Sequence, residues 1–146
     1  MAIIDKPSDF FKPKLYTGNG GTQTISGVGF QPDLVWGKGR TSTEYHQLYD
    51  AVRSATKVIF STTGDAEETK SAGLTAFNSD GFVLGSDDGL NKNTISQVAW
   101  NWKANGQGSS NTDGSTNTTY TSANTTAGFS ISSYAGSNSN ATIGHG

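Results

Sequence analysis

The sequence has no cysteine, few prolines and no long helix-forming runs, and each absence narrows what the chain can be. Without cysteine, a disulfide framework, a thiol nucleophile and cysteine-ligated zinc are all excluded. Runs of Ala, Leu and Glu are missing, which argues against long helices. Against 3 prolines stand 19 glycines, a composition typical of short strands joined by Gly, Asn and Ser turns.

The chain also lacks a surplus of positive charge. Its net charge of −2 gives no electrostatic basis for binding nucleic acid or an anionic membrane surface. No stretch approaches the roughly 20 apolar residues that span a bilayer. We therefore expect neither a nucleic-acid partner nor membrane insertion.

Charge disappears from the C-terminal part of the chain. All ten Lys and Arg residues lie at or before Lys103, and Asp113 is the only charged residue after that point. This break, together with proline breakers near the start, divides the chain into four predicted regions. They are a docking arm at 1–13, a β-sandwich at 14–104, a Ser/Thr/Asn/Gly-rich linker at 105–127 and the start of a second repeat at 128–146.

Alternating patterns predict an all-β fold, specifically an antiparallel β-sandwich of the jelly-roll or lectin-like type. The clearest strand spans residues 94–104, where Val98, Trp100 and Trp102 share one face. We expect that face to point inward, because large aromatic side chains are worth burying. The predicted core consists of Trp36, Val58, Phe60, Phe82, Val98, Trp100 and Trp102.

An internal repeat follows the linker, at a constant offset of 118 residues without a gap. The matched positions are Phe11 with Phe129, Tyr16 with Tyr134, Gly18 with Gly136, and Thr24-Ile25 with Thr142-Ile143. The second copy breaks off at Gly146, so we expect the natural protein to be longer.

The linker holds too little apolar surface to fold alone, so we expect neighbouring copies in a homo-oligomer to order it. Its lack of charge lets parallel copies approach, and its hydroxyl and amide side chains can bond between strands. The alternative is a mobile linker between two independent repeats.

Four segments carry a resemblance to a known family: 29–36 (GFQPDLVW), 48–57 (LYDAVRSATK), 77–82 (FNSDGF) and 98–103 (VAWNWK). In this order they resemble repeat-containing, tail-fibre-like structural proteins of marine phages, including cyanophages. The resemblance implies lectin-like β-sandwich modules, a location in the virion after synthesis in the host cytoplasm, and a trimer. Gly37 departs from the family, since a bulky apolar residue is expected after Trp36.

No motif supports catalysis, a cofactor or a metal. His46, Asp50 and a serine could be assembled into a triad, but no Gly-x-Ser-x-Gly elbow frames a nucleophile. The carboxylate pairs Glu67-Glu68 and Asp87-Asp88 lie in turn-like contexts. The possible calcium ligands Asp80, Asp87, Asp88 and Asn91 lack EF-hand spacing, and capping of their own turns is the preferred interpretation.

Two binding surfaces are predicted. Phe10, Phe11 and Pro13 would form a virion-docking arm that packs on another protein, because they stand outside any strand pattern. A ligand patch would include Tyr45, His46, Tyr49, Asp87, Asp88 and Asn91.

These features favour a non-enzymatic virion structural protein. We expect the N-terminal anchoring module of a tail fibre or other appendage involved in host attachment, with other tail or capsid proteins as partners. One alternative is a lectin-like module that itself binds host surface glycan. Another is a capsid-decorating protein.

Overall fold

The computed structural model describes residues 4–146 and shows an all-β protein. Strands hold 38% of the residues and helices 5%, so the predicted fold class is confirmed. A 3₁₀ turn, Pro7–Asp9, precedes the first strand, and a one-turn helix α1, Asp88–Asn91, precedes the ninth. The strands of the described residues are β1 (Phe11–Thr17), β2 (Gln23–Ile25), β3 (Leu34–Gly39), β4 (Gln47–Asp50), β5 (Lys57–Phe60), β6 (Glu68–Thr69), β7 (Leu74–Asn78), β8 (Gly81–Leu84), β9 (Ser96–Trp102), β10 (Tyr120–Asn124) and β11 (Phe129–Ser133).

Two antiparallel sheets form the sandwich. The larger has six strands in the order β1-β9-β3-β4-β5-β6, and the smaller has three in the order β2-β8-β7. Strands β10 and β11 form a separate hairpin. No helix in residues 4–146 is long and apolar enough to cross a bilayer.

The core lies between the two sheets. The six-stranded sheet contributes side chains of its inner face, and the three-stranded sheet contributes alternate positions of its own strands. Two of the predicted core residues, Val58 and Phe82, are fully buried here, and Phe60 packs against them. The buried cluster comprises Ile25, Val35, Tyr49, Val58, Leu74, Phe82, Leu84, Leu90 and Ala99.

Strand β9 faces the opposite way from the prediction. Ala99 and its same-face neighbours Gln97 and Asn101 point inward and are fully buried, whereas Trp100 and Trp102 lie half-buried on the outer face. Val98 is buried, but on that outer face as well. The prediction was wrong because period-two patterning identifies two faces without telling which one meets the second sheet.

Gly37 and Ala99 together leave a space on the inner face of the six-stranded sheet. A Cβ at Gly37 would lie 2.3 Å from Cδ2 of Leu90, whose side chain reaches in from α1. Gly37 pairs with Ala99 across the β3–β9 ladder, so two small residues leave the space that Leu90 fills. A glycine at position 37 is thus required by the packing of Leu90.

The predicted docking arm is shorter than expected. Phe11 and Pro13 belong to β1, which pairs with β9 over its whole length, and the Phe11 ring packs on Trp102 at a centroid distance of 4.9 Å. The expectation that they do not pack on their own domain is therefore wrong, whereas their packing on another protein stays a prediction. Because β1 is an edge strand, Pro13 interrupts no central ladder, and proline did not signal a break here.

The segment predicted as a linker contains ordered structure within the single chain. Strand β10 lies in it and pairs with β11, and Ser109 bridges to Thr121. Fully buried Ser122 accepts a hydrogen bond from the Asn105 N–H at 2.8 Å, and the Thr121 hydroxyl donates to Thr118 at 2.9 Å. Hydrogen bonds of polar side chains therefore stabilise this segment, which has little apolar surface to bury. The prediction of a linker considered apolar content alone.

We expect Gly37→Val to destabilise the protein by about 1–3 kcal/mol, because the added side chain must displace Leu90. Gly64→Ala is the control, since a Cβ there meets nothing within 4 Å. Urea unfolding followed by tryptophan fluorescence measures both free energies of unfolding. Equal stability of the two variants would contradict the proposed close contact.

Candidate functional site

A groove opens at one end of the sandwich, where the loop before β4 meets the start of α1. It has a volume of about 310 Å³. Two aromatic side chains, several carboxylates and one lysine converge on it from four separate parts of the chain. The lining residues are Glu44, Tyr45, Gln47, Phe60, Asp65, Glu68, Lys70, Asp87, Asp88 and Gly89.

The aromatic part of the groove is formed by Tyr45 and Phe60. Tyr45 lies in the loop before β4 and is 56% exposed, which is high for a side chain of its size. Its ring meets Phe60, at the end of β5, edge to face at 5.9 Å and 71°. Such edge-to-face packing holds an exposed ring in a defined orientation.

The polar floor of the groove is organised by Asp87, the N-cap residue of α1. One carboxylate oxygen accepts from the Gly89 N–H at 3.0 Å and from Gln47 Nε2 at 3.2 Å. The other accepts from Lys70 Nζ at 3.0 Å. Burial alone would raise the pKa of the Asp87 carboxyl, but these hydrogen bonds outweigh burial and place the pKa below its usual value.

The structure brings together three of the six residues predicted as a ligand patch. Tyr45, Asp87 and Asp88 line the groove, whereas Tyr49 is fully buried in the core and donates its hydroxyl to Gln47 Oε1 at 2.8 Å. Burial raises the pKa of the Tyr49 hydroxyl, with a further contribution from Asp87. Sequence proximity misled here, because Tyr45 lies in the loop before β4, whereas Tyr49 lies within β4 and packs in the core.

His46 and Asn91 are the other two patch residues that lie outside the groove. His46 is on the outer face of the six-stranded sheet, 6.1 Å from the Trp36 ring, where burial first and Lys38 second lower its pKa. Asn91 is buried, and its amide nitrogen donates to the Gly85 carbonyl at 2.8 Å and to Asn19 Oδ1 at 3.1 Å. Asn91 therefore connects two loops and has no amide hydrogen left for a ligand.

Sequence reasoning missed Phe60, Glu68 and Lys70 as groove residues. Phe60 was assigned to the core, and its contact with Tyr45 is not visible from sequence spacing. The positions of Glu68 and Lys70 depend on β6, a two-residue strand with no apolar alternation to reveal it.

Within the described residues, the candidate calcium ligands and the candidate catalytic triad do not form such sites. Asp80 accepts from the Gly27 and Gly29 N–H groups, so it caps a turn that lies more than 50 residues away and not, as was expected, its own turn. Within residues 4–146, no three His, Cys, Asp or Glu side chains lie close enough to hold a metal ion. Asp50 is paired with Arg53, and His46 Nδ1 has no hydrogen-bond partner, so these two residues form no catalytic pair.

Two further cavities lie on the outer face of the six-stranded sheet, beside the β10–β11 hairpin. One, of about 380 Å³, lies between β11 and sheet residues that include Leu34, Leu48 and Ile59. The other, of about 300 Å³, is lined by Phe10, Phe11, Trp102 and Phe129. The predicted docking residues Phe10 and Phe11 thus contribute to a cavity on their own domain.

Replacing Asp87 by Asn should lower stability at pH 7 by about 1–2 kcal/mol, because the charged hydrogen bond from Lys70 is lost. A depressed carboxyl pKa stabilises the fold above the unfolded value of about 4, and this contribution disappears as the pH falls through the folded value. The difference between wild type and variant should therefore close below about pH 4.

Chemical unfolding at a series of pH values measures this difference. Asp88→Asn, which removes a neighbouring carboxylate that is 63% exposed, is the control and should follow the wild type. A difference for Asp87→Asn that stays constant with pH would contradict the assigned role.

Comparisons with known proteins give a family but no activity. Residues 6–146 match a family described as a domain of unknown function, DUF7483. No curated protein and no solved structure matches the chain. Since the match spans nearly the whole sequence, the chain belongs to the DUF7483 family.

Proposed function

We propose that this chain is a structural repeat module of a phage virion appendage, such as a tail fibre, that takes part in host attachment. The observation that carries the proposal is an aromatic junction between the two repeats. The proposed second repeat begins with β11, which packs on the six-stranded sheet through Phe129, and stacked repeats are stabilised by such interfaces between neighbours.

The junction is formed by Phe11, Trp102 and Phe129. Phe11 opens β1 and Phe129 opens β11, and the two are equivalent positions of the 118-residue repeat. The Phe11 ring lies 4.9 Å from Trp102, and the Phe129 ring stacks on the same indole at 6.2 Å and 21°. One tryptophan thus fixes the start of both repeats, which favours a stiff rod over modules on a loose tether.

The virion assignment is supported by the resemblance of the segments at 29–36, 48–57, 77–82 and 98–103 to structural proteins of marine phages. Self-association, as a trimer, belongs to the same proposal. The number three comes from the resemblance, and self-association is supported by exposed apolar side chains at Leu15, Ile59 and Phe11, which are 61%, 38% and 37% exposed.

Phe129→Ala should loosen the hairpin from the sheet. Losing the half-buried ring costs about 1–2 kcal/mol, so amides of β10 and β11 should exchange hydrogen roughly ten times faster while those of β9 do not change. Leu15→Ala, which truncates an exposed side chain on the same sheet face, is the control. If hydrogen exchange of β10 and β11 is unchanged in the Phe129 variant, the junction does not support a rod.

Peptide mass analysis of purified particles of the encoding phage tests the location. We expect this chain in intact virions, in the tail fraction after heads and tails are separated, at a copy number divisible by three. Soluble lysate proteins are the control for carry-over. Absence from the particles would refute the virion assignment, and recovery with the heads would favour a capsid-decorating protein.

A further inference from the structure

We propose that the groove at Tyr45 is a saccharide-binding site for an uncharged or amine-bearing sugar. The inference deepens the host-attachment role proposed above and rests on it for the source of the sugar, a host surface glycan. The binding chemistry itself is argued from the groove.

The aromatic platform is the first argument. A pyranose ring has one face made largely of C–H groups, and protein sites commonly cover such a face with an exposed aromatic side chain. Tyr45 is 56% exposed and is held from behind by Phe60, so its orientation costs little to fix when a ligand arrives. Its hydroxyl stays free to bond to a sugar hydroxyl at the rim.

The second argument is that the polar residues of the groove form two groups. Some are hydrogen-bonded to the protein and form a fixed floor, and others have oxygens that can accept hydrogen bonds from a ligand. Asp87 and Lys70 bond to each other and to the protein, which makes them a rigid floor. Asp88 is 63% exposed and pairs only through Oδ2 with Lys92 at 3.8 Å, so Oδ1 is available to accept from a sugar hydroxyl. Glu68 is exposed on the same groove wall.

The size of the groove limits the ligand. Its volume of about 310 Å³ lies at the lower end of the range of about 300–1,000 Å³ that is usual for small-molecule sites. One or two sugar rings would fill it, so the groove would recognise a terminal unit of a glycan.

The charge balance decides which sugars fit. Five carboxylates and one lysine line the groove, so an acidic sugar would be repelled, whereas neutral hydroxyls and ammonium groups would be accepted. The carboxylates Glu44, Asp65, Glu68, Asp87 and Asp88 face only Lys70 within the lining, with Lys92 bonded to Glu44 at the edge at 2.9 Å.

The test uses three matched oligosaccharide probes in titration calorimetry: glucosamine, N-acetylglucosamine and galacturonate oligomers of equal length. We expect binding of the first two and none of the third. Tyr45→Ala should weaken binding at least tenfold. Tyr134→Ala is the control. Tyr134 is also exposed, at 54%, but it lines the outer-face cavity, so this variant should bind the probes like wild type.

Asp88→Asn gives a second readout. It keeps the shape and acceptor oxygen of the side chain but removes one negative charge, so glucosamine binding should fall several-fold more than N-acetylglucosamine binding. Salt should likewise weaken glucosamine binding more strongly.

Failure to bind any probe, preference for galacturonate, or equal binding by wild type and Tyr45→Ala would each overturn the inference. The proposed function fails separately, if the chain is absent from virions. A chain found in virions that binds none of the probes would leave the structural role intact and remove the saccharide site alone.

Discussion

The fold depends on one strand, β9, which lies between β1 and β3 and has both of its faces covered. Its inner face meets the second sheet, and its outer face carries the tryptophans on which the hairpin packs. A strand in this position cannot show the usual alternation of core and solvent residues. The chain therefore places small or amide residues inward, at Gln97, Ala99 and Asn101, and large aromatics outward.

Buried amides cost free energy where their polar atoms are not bonded, and within the described residues both amide atoms of Gln97 and Oδ1 of Asn101 have no hydrogen-bond partner. Asn101 donates to the Lys12 carbonyl at 2.8 Å and so connects β9 to β1 through a side chain as well as the ladder. Buried Asp33 directly precedes β3. Its carboxylate accepts hydrogen bonds from the Ala104 N–H at 2.7 Å and from Gln31 Nε2 at 3.1 Å. These bonds hold β9 to β1 and hold the segment after β9 to the residue that precedes β3.

Much of the fold was predictable because it depends on local patterns. Val58 and Phe82 stand in short apolar strands, and their burial follows from that context. The inward face of β9 was not predictable, since it depends on Leu90 reaching across from α1 into the space above Gly37. Gly37 interrupts the apolar pattern of its strand, but in the folded protein it leaves the space that Leu90, 53 positions further along the chain, occupies.

The groove was predictable in part for the same reason. Tyr45, Asp87 and Asp88 were identified as polar or aromatic residues in loops, and loops at the end of a sandwich tend to converge. The error at Tyr49 came from treating a cluster of neighbours in sequence as one surface. The missed contribution of Phe60 shows the converse case, in which a residue belongs to the edge of the core and to the groove at once.

In the proposed function, one face of the six-stranded sheet would join repeats and the loops at the other face would bind the ligand. Joining repeats needs a flat apolar surface, and the outer face provides it through Trp102 and its two phenylalanine partners. The proposed saccharide groove instead needs a fixed ring with exposed polar side chains beside it, and the loop before β4 supplies that ring at Tyr45. Because no residue that lines the groove belongs to the aromatic junction, repeats joined through the junction could keep their grooves open. Under the proposed function, a chain of such modules would gain a ligand site with every repeat, and weak individual binding would become strong attachment through multivalency.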